Sequence, residues 1–216
     1  MKYTALIVTF NRLGKLKKTV EETLKLEFTN IVIVNNGSTD GTQAWLSSIV
    51  DTRVIVLTLT ENTGGAGGFK TGSQYICEQL ASDWVFFYDD DAYPYPDTLK
   101  SFSQLDKRGC RVFSGLVKDP QGKPCPMNMP FSRVPTSLGD TVRYLRYPAE
   151  FIPAANRSMF VQTVSFVGMV IHRDLLATSL DYIREQLFIY FDDLYFGYQL
   201  SLAGEQIMYS PELLFY

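Results

Sequence analysis

Three consecutive carboxylates, Asp89, Asp90 and Asp91, make the most chemically loaded stretch of the chain. They follow an apolar run, Trp84 to Tyr88, and precede Ala92-Tyr93-Pro94-Tyr95-Pro96. The run reads as a buried strand and the prolines as a loop, so the carboxylates sit where a central strand leaves its sheet. Crowded like charges raise one another's pKa, and full ionisation is unfavourable unless a cation is shared. Residues two apart in an extended segment face the same way, which points Asp89 and Asp91 together and Asp90 elsewhere. Hard oxygen ligands at that spacing suit Mg²⁺ or Mn²⁺ bridging to a diphosphate. A solvated acidic turn is the competing reading. Helix capping is not, because Asp97, directly before Thr98, is placed to do that.

A second acidic pair, Asp192-Asp193, stands at the start of a helical segment. One aspartate is expected to cap that helix, which leaves the other free to act as a general base. A third candidate is glycine-rich: Gly64, Gly65, Gly67, Gly68 and Gly72 fall within nine residues, with Lys70 among them. The stretch fails the P-loop pattern, since Phe69 separates Gly68 from Lys70, and it fails the dinucleotide fingerprint because Lys70 stands where a glycine is needed. It reads instead as a loop whose backbone admits a nucleotide or sugar, with Lys70 near a phosphate. Phe166, Tyr190 and Phe191 could stack on a sugar ring, although core packing is the commoner fate of such residues. His172 is the single histidine and reads as a surface or capping residue.

The elements that must position these groups form a regular series. Short apolar runs at 5–8, 31–34, 54–57 and 84–88 alternate with segments of helical spacing, and polar clusters lie at each run's carboxyl end. That pattern predicts a parallel, doubly wound α/β sheet with ligands bound at the strand ends. Beyond Leu105, 112–117 and 164–171 read as strands, 194–203 as a helix closed by Gly204, and 207–209 as a last strand. Residues 118–160 carry seven prolines and read as a long irregular segment, a lid or acceptor region if functional. The expected organisation is one domain over 1–216, with a nucleotide-sugar half (1–105) and an acceptor half (106–216).

The totals narrow the function classes. A net charge of -3 offers no electrostatic case for nucleic-acid binding. Three scattered cysteines fit a reducing compartment better than a disulfide framework. The N-terminus lacks a signal-peptide layout and the longest late apolar run is too short to span a bilayer, so a cytoplasmic location is expected, with the inner face of the membrane as an option.

Five stretches resemble, in order, those of family 2 inverting glycosyltransferases of the GT-A fold: Thr9-Phe10-Asn11-Arg12, Val34 to Thr42, Asn62 to Phe69, Asp89-Asp90-Asp91 and Phe191-Asp192-Asp193. The subgroup most similar is the bacterial galactofuranosyltransferases and their rhamnosyltransferase relatives. The resemblance implies a UDP-sugar donor, UDP-galactofuranose being one candidate, and a saccharide or lipid-linked acceptor in cell-surface polysaccharide synthesis. It implies that Thr9, Phe10, Arg12, Asn35, Asn36, Asn62, Gly67, Gly68, Lys70, Asp89 and Asp90 surround the nucleotide sugar. Asp89 and Asp91 would hold Mn²⁺ or Mg²⁺, Asp193 would be the catalytic base, and Phe166, Tyr190, Phe191 and Asp192 would line the acceptor site. Asn35-Asn36 replaces the aspartates of many members. The histidine that completes the metal site in the galactofuranosyl group has no counterpart, so a truncated C-terminus or a water in that position is expected. Peripheral membrane contact would then fall to absent segments. Arg143, Arg146 and Arg157 are candidates for lipid-phosphate contacts, against a solvated basic face. The competing readings are a non-catalytic nucleotide-sugar-binding module and a dTDP-rhamnose-using rhamnosyltransferase.

Overall fold

Tyr3–Thr9 is buried at all seven positions and forms β1, the axis of the sheet. Near-continuous apolar character is what a parallel strand covered on both faces requires. The chain crosses over through α1 (Leu13–Leu24) to β2 (Asn30–Asn35), then through α2 (Thr42–Leu46) to β3 (Val54–Thr58). Helix α3 (Gly64–Gln79) carries it back to β4 (Trp84–Asp89), on the other side of β1. After α4 (Thr98–Gln104) come β5 (Val112–Val117), α5 (Leu138–Arg146), β6 (Met159–Val161), β7 (Met169–His172), α6 (Arg173–Ser179), α7 (Asp192–Leu202) and β8 (Ile207–Phe215). The computed structural model describes residues 1–216, and the eight strands form one sheet in the order β3-β2-β1-β4-β7-β5-β8-β6. β1, β2, β3 and β4 are mutually parallel, and so are β5 and β8. β7 and β6 run antiparallel to their neighbours.

Side-chain alternation divides the core between the two faces. Ala5, Ile7, Phe86 and Tyr88 pack with Leu16 and Val20 of α1; Leu6, Val8, Val85 and Phe87 pack with Phe69 of α3 and Phe196 of α7. The strand order reverses at β1, and the last residues of the strands there stand side by side. Thr9 registers with Asn35, and Val8 with Asp89. That crevice is where ligands bind in open α/β sheets.

Several sequence expectations need correction. The glycine stretch is helix, not loop: α3 begins at Gly64. A Cβ on Gly68 would lie 2.5 Å from Val8, and one on Gly72 2.3 Å from Leu6, so the glycines let α3 lie close on β1. The 164–171 strand shortens to Met169–His172 because Gly168 turns the chain at φ 87°. The last strand runs on to Phe215 across a bulge at Gly115/Leu116 of its partner β5. The proline-rich segment contains α5, whose start Ser137 caps by accepting from the Asp140 amide at 3.0 Å. Asp97 makes no capping hydrogen bond. Helix α7 starts two residues earlier than expected and ends at Leu202, just before Gly204 at φ 90°. The three cysteines are free thiols, and no helix is long and apolar enough to cross a membrane.

Candidate active site

The exit of β1 is tied to the acidic triplet. Thr9 Oγ1 donates to Asp90 Oδ2 at 2.8 Å, and Thr19 of α1 donates to the Asp90 carbonyl at 2.8 Å. Arg12 reaches Asp90 at 3.1 Å and Asp91 at 2.6 Å, and Lys15, one turn further along α1, reaches Asp91 at 2.8 Å. Asp89 is the last residue of β4, so it keeps the alternation of Val85 and Phe87 and turns to the α3–α7 face. Asp90 follows Tyr88 to the α1 face. Asp91 lies past the strand end, outside the alternation, and is drawn to the same cations as Asp90. Asp89 thus lines the cavity side while Asp91 meets Arg12 and Lys15, and the two carboxylates are close enough for Asp91 to raise Asp89.

The amides expected around a base are spent on the protein itself. Asn35 Nδ2 donates to Gln43 at 2.8 Å and its Oδ1 accepts from the Ser38 amide at 3.1 Å. Buried Asn36 donates to Asn62 Oδ1 at 3.1 Å and to the Gly64 carbonyl at 2.8 Å, while its Oδ1 accepts from both the amide and the hydroxyl of Thr63, each at 3.0 Å. Asn62 Oδ1 also accepts from the Gly64 amide at 2.9 Å. The pair thus builds the β2 turn and the start of α3. Gly67 and Gly68 serve packing against Thr63 and Val8. Phe10 is exposed at the β1 exit, and Lys70 is ion-paired with Glu185 at 3.0 Å.

A cavity of about 600 Å³ opens beside Asp89. It is lined by Gly65, Phe69 and Asp89, by 163–167, by Ile189 to Leu194, and by 126–131, Tyr144 and Ile152. Phe166 forms a wall while packing on Phe69 at 4.9 Å between ring centroids, so it is both lining and core. Tyr190 and Phe191 are exposed on the lip. Both α7 aspartates line the cavity. Asp193 is oriented by the Leu194 amide, which donates at 2.6 Å. Burial pushes its carboxyl up, opposed by hydrogen bonds from Leu194, Ser165 and Phe166. Asp192 is raised to about 6, by burial first and then by Asp193. Asp89 is raised to about 7, by burial, then by Asp90 and Asp91, with Asp192 adding to it against the pull of Arg12. Asp91 moves the other way. Its burial would raise it, but Lys15 and Arg12 bring it below the ordinary carboxylate value.

Three participants escaped the sequence reading. Lys15 had a signal, one helical turn after Arg12. Ser165 had none. Phe188 carries its carbonyl to the Ala66 amide at 3.1 Å from a left-handed backbone, which no residue type announces. His172 pairs in register with Trp84, the first residue of β4, at the sheet end opposite the cavity, and accepts from the Asp174 amide at 3.3 Å.

No group of three His, Cys, Asp or Glu side chains is arranged to hold a metal ion. The donors that remain, the half-buried Asp89 and the more exposed Asp91, are hard oxygens, two in number. That suits an ion which takes one or two carboxylates and completes its shell with phosphate oxygens and water, as Mg²⁺ does. Burial first, and the Asp90 and Asp91 carboxylates second, raise the Asp89 carboxyl, and a bound cation would oppose that rise.

The sheet order, the crevice at the exits of β1, β2 and β4, and the carboxylate-lined cavity beside it define a GT-A glycosyltransferase fold. The chain belongs to glycosyl transferase family 2, whose family model matches residues 4–163. No curated protein matches it in sequence. Among solved structures, S. aureus TarS is similar over 100% of this chain and 36% of its own, at 20% identity and a TM-score of 0.71. TarS 1-349 in complex with UDP aligns at 20% identity and 0.70, over 60% of that chain. GalNAc-T7 with UDP, GalNAc and Mn²⁺ aligns at 15% and 0.69, over 43% of that chain. At these identities the likeness is one of fold, and this chain spans less than two thirds of each.

Proposed function

We propose that this chain is an inverting glycosyltransferase that takes a UDP-sugar and passes the sugar to a saccharide or lipid-linked saccharide hydroxyl. The observation that carries the reading is the meeting of Asp89, Asp192 and Asp193 in one cavity at the strand exits of a family 2 chain. The fold neighbours crystallised with UDP or UDP-GlcNAc support a uridine nucleotide donor. UDP-galactofuranose rests on motif order alone, the glycine stretch, triple aspartate and Phe191-Asp192-Asp193 taken together.

Arg12 and Lys15 are the cations nearest the acidic triplet and would exchange partners as a diphosphate arrives. Asp89 and Asp91 would hold Mn²⁺ or Mg²⁺, and GalNAc-T7 was crystallised with Mn²⁺. Bound there, the ion would neutralise charge on the departing diphosphate. Asp193, fixed by the Leu194 amide, would take the proton of the acceptor hydroxyl as its oxygen bonds to the anomeric carbon. The carbon–phosphate oxygen bond breaks on the opposite side, UDP leaves, and configuration inverts in one displacement. A thermal-shift panel of UDP-, GDP- and dTDP-sugars with Mn²⁺ tests the donor. A UDP-sugar should raise Tm by mass action; a rise with a dTDP- or GDP-sugar alone refutes it.

A further inference from the structure

Residues 118–160 hold six basic side chains against three acidic ones, in a chain whose net charge is -3. Helix α5 lies in this basic stretch and buries none of its residues. Leu138, Val142 and Leu145 recur at i, i+4 and i+7 and so share one stripe. They are 88%, 66% and 77% exposed. The helix is anchored by a different face, where Tyr144 packs edge-on against Phe131 at 5.4 Å and Phe151 at 5.7 Å. An amphipathic helix is thus held with its apolar stripe outward, the reverse of a helix seated on a core.

Helix α5 reaches the cavity through Tyr144, so the stripe lies on a helix that borders the cavity. Tyr144 lines that cavity together with Met127, which is 89% exposed, and Ile189, Tyr190 and Phe191 both line it and are exposed. Basic groups flank the stripe on the same helix. Arg143 is tethered to Glu150, and Arg146 donates to the Tyr147 hydroxyl at 3.0 Å. Apolar side chains standing out singly beside a local excess of positive charge match a headgroup layer, where the stems enter the acyl boundary and the cations meet anionic lipid.

We propose that this face, the α5 stripe with Met127 and the 189–191 turn, seats on an anionic lipid bilayer, so that the cavity opens toward the membrane plane. It extends the transferase reading by fixing the side from which an amphiphilic acceptor reaches Asp193. Vesicle binding does not depend on catalysis, so failure of that reading would show separately, in UDP release.

Cosedimentation with phosphatidylcholine vesicles, with and without phosphatidylglycerol, tests it. The chain should bind the anionic vesicles and leave the neutral ones. L138E/V142E/L145E should lower binding at least about tenfold. R143Q/R146Q, which leaves the stripe intact, should lower it about fivefold per charge removed. Circular dichroism and UDP binding of both variants should stay as in the parent. No binding to anionic vesicles, equal binding to both vesicle types, or binding unmoved by both variants would overturn the proposal. A solution dimer that L138E/V142E/L145E dissolves would also overturn it, assigning the face to a second copy of the chain.

Discussion

The Phe188 carbonyl accepts from the Ala66 amide at 3.1 Å, so the turn that leads to the acidic pair is bonded to the first turn of α3. Phe188 sits at φ 60°, ψ -68°, and Gly64 at φ 74° beneath it. A Cβ on Gly64 would lie 2.3 Å from the Phe188 oxygen. Backbone meets backbone here, and the start of α3 and the turn that leads into the carboxylate-lined cavity are joined through that contact.

Gly64→Ala should therefore destabilise by about 1–3 kcal/mol, from the strained φ and the clash together. Gly14→Ala, at an exposed position of α1 with nothing within 4 Å, should be neutral or stabilise by about 0.5–1 kcal/mol. Urea denaturation of both variants measures the contrast. Equal effects would remove the close approach as the reason for Gly64.

Asn36→Ala should cost about 2–4 kcal/mol, because it strands the Thr63 amide and the Gly64 carbonyl in a buried turn. A base-contacting residue with no structural role would instead lose UDP affinity at unchanged Tm. Thermal denaturation beside UDP titration separates the two.

Asp192 gives a pH dependence of definite sign. Its carboxyl is raised to about 6, so the fold binds the proton more tightly than the unfolded chain does. Stability from this group is therefore full below the ordinary carboxylate value and is lost as pH rises to about 6. The loss amounts to about 2–3 kcal/mol. Asp192→Asn removes the titration, and the stability difference between about pH 4 and about pH 8 should shrink by that amount. An unchanged difference would show that Asp192 does not titrate in this range.

Stabilisation by UDP should require a divalent cation. Chelation should abolish the Tm shift, and Asp91→Ala should abolish it even with Mn²⁺ present. A cation-dependent shift retained in Asp91→Ala would take Asp91 out of the metal site.

The legible part of the molecule was its first four strands and their parallel run. β1, β2, β3 and β4 are apolar runs with polar exits, and that periodicity fixed both the sheet and the crevice. Gly64, Gly68 and Gly72 recur at every fourth position, the spacing of one helix face, yet composition alone reads as loop because glycine lowers helix propensity. Tertiary approach to Leu6 and Val8 overrides it. The orientation of Asp91 was not legible, since alternation ends with the strand at Asp89 and Lys15 and Arg12 then decide. Helix α5 was hidden because prolines flank it and its apolar stripe faces away from the core.

The most direct measurement compares UDP release from the UDP-sugar by Asp193→Asn and by the parent chain, with UDP affinity determined on the same samples. Loss of turnover by about 10²-fold or more at unchanged UDP affinity is the predicted result. Turnover at the parent rate would contradict the assignment of Asp193 as the base, and with it the account of the cavity as a transferase site.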